Sequence, residues 1–442
     1  MKSLIKKFIP QKWLVFYHKS LAVLANQIYG KPSEKLIVIG VTGTNGKTTT
    51  CKLISNVLEE AGYKTGITST AVFKIAEKEW LNNTKMTMPG RFALQKMMAQ
   101  MVKAGCKYAI IETSSQGVVQ FRHIGIHYDV VVFTNLTPEH IEAHGGFDNY
   151  KKAKLKLFEK LQNDPVKIID GKKIEKAMAV NIDDDSAQSF LNFKIEKKIA
   201  FGIDNPDANL NAKNLIYNSN GITFEIDQKQ ISLKLYGKFN VYNSLSAIAV
   251  ASSQNINLEV CKSALEKITE MPGRMELIES KNFAPNTDFK IIVDYAPEPE
   301  SLGQSYGTIK NHNMAPGRII HVLGSCGGGR DIARRPILGS MVARNAQIAI
   351  ITNEDPYDDD PAVIIEQVAQ GAISGGMVLG QNLFKIEDRE KAIEKALFLA
   401  QPGDLVFLTG KGCEQAICVA NGKKIPWDER KVVHNLLAKL GK

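Results

Sequence analysis

The chain has 442 residues and a formal charge of +10, so two or three domains and small anionic substrates are expected, the lysines being too scattered for a nucleic-acid face. A hydrophobic content of 44% excludes a disordered chain, and no apolar run approaches the roughly 20 residues that cross a bilayer. Cys51, Cys106, Cys261, Cys326, Cys413 and Cys418 show neither a CxxC pair nor zinc spacing, which excludes a zinc knuckle and a disulfide frame and fits reduced thiols in the cytoplasm.

Residues 1–35 open with "MKSLIKKFIPQKWLVFYHKSLAVLANQIYG", a short basic helical segment. Charges interrupt it and no small-residue cleavage site follows, so it does not read as a signal peptide. Two readings stay open: a packing helix, or a basic amphipathic helix giving residues 1–30 peripheral contact with a membrane. From Leu36 short β-rich runs alternate with helix-length segments: "LIVIGV", "YAIIET", "DVVVFTNL", then "KIIVDYA", "RIIHVLG", "QIAIITN" and "DLVFLTG". Such continuous apolar runs predict buried parallel strands of an α/β fold. Residues from about Ala177 to Gly237 look like a strand-rich elaboration. Pro272-Gly273 breaks the pattern near Met271, dividing the chain into 36–271 and 272–442.

"IGVTGTNGKTTT" follows the first apolar run and leads into a helix. A strand feeding glycines into a helix start surrounds an anion with backbone N–H groups. Lys47 would meet the outer phosphates and the Thr48 hydroxyl a magnesium ion. The glycine of the common GxxxxGK[ST] spacing would fall at Val41, so the loop is a variant one.

"GTNGKT" resembles the loop of the muramyl-peptide ligases and their relatives, the folylpolyglutamate and cyanophycin synthetases. The next motifs stand in family order: "IETSSQGVVQFR", "TNLTPEH", "HGGF", "AKLKLF", "GKFNVYNSLSA", "MPGRMELIE", "IIVDYAPEPESL", "GSCGGGRDIARRP", "TNEDPYDDDP" and "LTGKGCEQ". From Ile37 onward the chain is similar to MurE-type ligases. The resemblance implies a P-loop ATPase central domain with a parallel sheet, a C-terminal Rossmann-like α/β domain that receives the incoming amino acid, and a monomer. The implied reaction transfers a phosphoryl group from ATP to a carboxylate, and an amine then attacks the acyl phosphate.

By the same resemblance ATP meets Gly43, Thr44, Asn45, Gly46, Lys47, Thr48, Thr49, Asn135 and Asn243, with Arg274 and Asp294 contributed by the C-terminal domain. Mg2+ meets Thr48, Glu112, His140 and Lys154, the last as a carbamate, which turns a cation into an anion. The catalytic set is Lys47, Glu112, His140 and Lys154. Thr87, Ser114 and Arg122 fall where the family holds a muramyl dipeptide, although Met88 and Gln116 replace a usual threonine and histidine. Arg330 would clamp the α-carboxylate of the incoming amino acid and Glu414 its amino group.

Diaminopimelate-adding members read D-N-P-R where this chain reads Glu354-Asp355-Pro356-Tyr357, followed by three aspartates. An acidic pocket with Tyr357 in place of the arginine favours a side chain ending in an amine, L-lysine above all. Arg334, in the loop after "GGGRD", is the other cation that could enter that pocket. Full-length MurE-type ligases carry about a hundred N-terminal residues that grip UDP; here only about 35 precede the first strand, so a lipid-linked or free donor stays open. So do a cyanophycin- or polyglutamate-like amide ligase and a non-catalytic nucleotide-binding subunit.

Overall fold

The computed structural model describes residues 11–138, 144–285, 287–330 and 332–440. They fold as two compact units. The first takes its residues from 1–136, 148–213 and 242–265, and the second from 137–147, 214–241 and 266–442.

The first unit is built on a nine-stranded sheet. Its strands are β1 (Ile37–Thr42), β2 (Thr65–Thr68), β3 (Val72–Ile75), β4 (Lys78–Leu81), β5 (Tyr108–Glu112) and β6 (Val130–Phe133). After a small hairpin of β7 (Ile168–Ile169) and β8 (Lys172–Lys173) come β9 (Ala177–Asn181), β10 (Lys197–Gly202) and β11 (Leu210–Asn211). The order across the sheet is β11-β10-β9-β6-β1-β5-β2-β3-β4, and only β3, between β2 and β4 near one edge, runs against the other strands. β1, β5, β6 and β9 are buried along their whole length, which is why they read as unbroken apolar runs. The register sets Val41 beside Glu112 and Thr42 beside Phe133. The loops after β1, β5 and β6 therefore leave one edge of the sheet together.

The second unit contains a three-stranded sheet of β12 (Lys213–Asn218), β13 (Gly221–Ile226) and β14 (Lys229–Leu233). It also has a six-stranded sheet of β15 (Glu276–Glu279), β16 (Lys290–Val293), β17 (Ile319–Leu323), β18 (Ile348–Ile351), β19 (Leu383–Lys385) and β20 (Leu405–Leu408), in the order β15-β16-β20-β17-β18-β19. A last hairpin pairs β21 (Ala416–Val419) with β22 (Lys423–Pro426). Alternate residues of the six-stranded sheet feed two cores. Ile292, Leu323, Ile351 and Phe407 lie in one, and Ile291, Val322, Ile350 and Val406 in the other. This is the period of two expected of strands covered on both faces.

All seven apolar runs picked out in the sequence are strands of the two large sheets. The segment from Ala177 differs from its reading as an elaboration: β9, β10 and β11 extend the main sheet, and only β12 to β14 form a sheet of their own. The five residues of β9 are buried, so it is one more covered parallel strand, masked in the sequence by its acidic successors Asp183, Asp184 and Asp185.

Candidate active site

The loop from Gly43 to Gly46 joins β1 to the helix Lys47–Glu60. Gly43 has φ +152° and Gly46 φ +80°. A Cβ at Gly43 would lie 1.9 Å from Thr134 Oγ1, and one at Gly46 2.3 Å from Asn243 Oδ1, so both positions require glycine. The neighbouring β6 edge holds the loop. Asn45 N–H donates to Asn135 Oδ1 at 2.8 Å, Thr44 N–H to Asn135 O at 2.8 Å, and Thr134 Oγ1 to Asn45 O at 2.7 Å. Asn243 accepts from the Thr50 hydroxyl at 3.2 Å. Lys47 folds back to Thr44 O at 2.6 Å. Asn135 and Asn243 thus both lie against the loop.

Glu112, at the end of β5, is buried. Its Oε2 accepts from Thr48 Oγ1 at 2.9 Å and from Thr70 N–H at 2.7 Å, and its Oε1 from Thr70 Oγ1 at 2.9 Å. Among the described residues no cation pairs with it. A buried carboxylate held by a hydroxyl from the phosphate loop offers the hard oxygen donors that magnesium takes, with phosphate oxygens and water completing the shell. The residues present fit the ion. Among the described residues no group of three His, Cys, Asp or Glu forms a metal cage, and His140 lies outside them.

Lys154 is buried on the helix Phe147–Asn163. Its Nζ donates to Gly43 O at 2.5 Å and lies 4.3 Å from the centre of the Tyr150 ring. Tyr150, one helical turn earlier, shares a hydrogen bond with Thr44 Oγ1 at 3.1 Å. Lys154 therefore stands on the phosphate loop, whereas Lys152 and Lys156 of the same run are exposed. Tyr150 and Thr70 were not picked out from the sequence. Tyr150 carried a signal in its i, i+4 spacing from Lys154; Thr70 carried none.

Of the substrate candidates, Thr87 bonds Thr70 Oγ1 at 2.8 Å, which ties it to Glu112. Ser114 caps the short helix Ser115–Val119, accepting from Gly117 N–H at 3.1 Å. Arg122 donates to Met88 O. Burial and then the nearby Arg91 guanidinium push the pKa of Arg122 down. Two arginines close enough to repel suit an anion, and Arg91 is an addition that the sequence did not single out. Met88 itself is buried.

In the second unit, Arg274 donates to Gly273 O at 3.0 Å and stacks 4.5 Å from the Tyr295 ring centre. Asp294 is buried and accepts from Ser305 Oγ at 2.7 Å, Tyr295 N–H at 2.8 Å and Met275 N–H at 3.2 Å; burial raises its pKa despite these bonds. Its carboxylate ties the residue before β15 to the end of β16 and to the helix Pro299–Asn311. Burial opposes the charge of Arg330, but Tyr295, Cys326, Tyr357 and Glu298 hold its pKa above the ordinary value. Arg330 thus lies within electrostatic reach of Tyr295 and Tyr357.

The acidic loop is more fully engaged than its sequence suggests. Lys411, fully buried, donates to Asp355 Oδ1 at 3.0 Å, Glu414 Oε2 at 2.9 Å and Ala416 O at 2.8 Å. It offsets part of the charge read there as free. Asp358 accepts from Asn421 N–H at 2.7 Å, Asp359 lies 3.3 Å from Arg335, and Asp360 caps the helix Pro361–Ser374. Arg334 pairs with Glu298. Tyr357 has φ +52° and its N–H donates to Cys418 O at 3.1 Å.

Comparison with known proteins adds to this geometry. Residues 41–251 match the Mur ligase middle domain and residues 273–412 the Mur ligase, glutamate ligase domain. The chain is 36% identical to the UDP-N-acetylmuramyl-tripeptide synthetase of Roseiflexus sp. (strain RS-1) over 432 residues, 96% of this chain and 82% of that one. It is 34% identical over 426 residues, again 96% and 82%, to the UDP-N-acetylmuramoyl-L-alanyl-D-glutamate--2,6-diaminopimelate ligase of Clostridium botulinum (strain ATCC 19397 / Type A). A solved structure of a ligase with that second activity superposes with a TM-score of 0.58 at 28% identity, covering 91% of this chain and 78% of the other.

Proposed function

The chain belongs to the Mur ligase family, the ATP-dependent amide ligases of peptidoglycan synthesis, and from that premise we propose that it adds L-lysine to the D-glutamate end of a muramyl dipeptide. The observation that carries this reading is the meeting of the Gly43–Gly46 loop, Thr48, Glu112 and Lys154 at one edge of the sheet. There the D-glutamate carboxylate takes the γ-phosphoryl group of ATP, ADP leaves, and the amine attacks the acyl phosphate with loss of phosphate. Lys47 and the loop N–H groups hold the phosphates. Magnesium, held by Thr48 and Glu112, supplies charge neutralisation when bound. Lys154 acts as a carbamate, and His140 completes the set. Asn135 and Asn243 position the loop, while Arg274 and Asp294 serve the nucleotide.

Thr87, Ser114 and Arg122, joined by Arg91, hold the anionic donor; Arg330 and Glu414 orient the amino acid. The preference for lysine rests on Tyr357 standing where diaminopimelate-adding relatives carry an arginine, since Asp355 and Glu414 already share Lys411. A missing charge-assisted bond costs about 1.5–3 kcal/mol, or roughly 10- to 150-fold. Competition between lysine and meso-diaminopimelate at equal concentration tests it: lysine should dominate the product, and dominance of diaminopimelate refutes the assignment. A donor that is not UDP-linked is a second reading. Running the assay with both kinds of donor separates the two.

A further inference from the structure

The helix Gln11–Ile28 packs against the helix Arg91–Lys103 and turns Ala22 and Ala25 inward, both buried. Its other side is apolar and open: Trp13 is 67% exposed, Phe16 66%, Tyr17 56%, Leu24 46% and Ile28 60%. At 3.6 residues per turn these five fall within an arc of about 120° opposite Ala22. Large aromatic and aliphatic side chains on one exposed helical face mark an interaction surface.

The charge of the segment that carries that face selects its partner. The sequence before Glu34 holds Lys2, Lys6, Lys7, Lys12, Lys19 and Lys31 and no Asp or Glu, and of these Lys31 lies 3.7 Å from Glu34 itself. Lys19 lies 5.3 Å from the centre of the Phe121 ring. Next to it the buried His123 has a pKa pushed down to about 4, by burial first and then by Lys160, Lys156 and Lys19. Of these, Lys160 is paired with Asp164 at 2.9 Å. A second copy meeting this face about a two-fold axis would bring like charges together. Anionic head groups would neutralise them while the acyl boundary takes up the aromatic rings. No described helix is long and apolar enough to cross a membrane.

We propose that the face formed by Trp13, Phe16, Tyr17, Leu24 and Ile28 docks the protein on an anionic lipid surface, with the helix lying in the plane of the interface. The full chain should sediment with vesicles of mixed phosphatidylglycerol and phosphatidylcholine. It should bind vesicles of phosphatidylcholine alone about 10-fold or more weakly, and added salt should weaken the first interaction. Trp13 emission should shift to the blue on binding, a change lost in Trp13→Phe, which retains Trp80 and Trp427. Phe16→Ser with Leu24→Ser should lower binding about 10-fold or more, and Lys12→Glu with Lys19→Glu should remove the preference for anionic lipid. Both pairs should keep the far-ultraviolet dichroism and ligase turnover of the parent. Equal binding to the two vesicle types, no binding to either, or a dimer in sedimentation velocity that Phe16→Ser with Leu24→Ser abolishes would each overturn the proposal. None of these readouts depends on which amide the enzyme makes.

Discussion

The proposed reading gives Lys47 and Lys154 different tasks at the phosphate loop, and one experiment separates them. Lys47 is partly exposed and donates to a backbone carbonyl of its own loop, so Lys47→Ala removes the charge proposed to meet phosphate without opening the core. Turnover should fall by about 10²–10³-fold or more, with a stability change within about 0.5 kcal/mol. Lys154→Ala should be as inactive. Only this variant should regain activity when short carboxylates are added, because they would replace the oxygens of the proposed carbamate. Steady-state phosphate release with and without acetate or formate reads both. Failure of rescue, or rescue of both variants alike, contradicts the division of roles.

At the level of elements, loops are locked together by buried polar pairs. Lys411, just after β20, bridges Asp355 after β18 to Glu414. Lys411→Met leaves two carboxylates without that partner and should cost about 3–5 kcal/mol in a urea titration; a loss within the error of the titration would show that the bridge matters little. His321 in β17 is held between Tyr306 OH at 2.6 Å and Thr409 Oγ1 at 2.9 Å. Burial, and then Arg389, push its pKa down to about 3. The unfolded chain binds a proton at this histidine below about pH 6.5 and the folded chain does not until about pH 3. Its stabilising share is therefore complete above about pH 6.5 and falls, by up to about 1.4 kcal/mol per pH unit, as pH drops toward 3. His123, pushed down to about 4 mainly by burial, acts in the same sense. Urea midpoints should decline between about pH 7 and pH 5, less steeply in His321→Gln; a parallel decline in both chains would contradict this origin.

For the whole molecule, what the sequence revealed follows from how local each feature is. Strands covered on both faces announce themselves as apolar runs, and a phosphate loop is contiguous. β9 was harder, because the acids after it masked a buried strand. Thr70 reaches Glu112 across 42 residues and Lys411 reaches Asp355 across 56, pairings that only the fold brings about. Three aspartates in a row looked like a substrate pocket because composition cannot tell a free acid from one that caps a helix, as Asp360 does. Tyr357 shows the converse: its replacement of an arginine is legible in the sequence, while its left-handed backbone is not.

The central claim is that the edge holding Gly43 to Lys47, Glu112 and Lys154 makes an acyl phosphate and passes it to an amine. Labelling the D-glutamate γ-carboxylate of the muramyl dipeptide with oxygen-18 tests this most directly. With ATP, magnesium and lysine, each turnover should release ADP together with inorganic phosphate carrying one labelled oxygen. Amide formation with unlabelled phosphate, or with release of AMP and pyrophosphate, would contradict it.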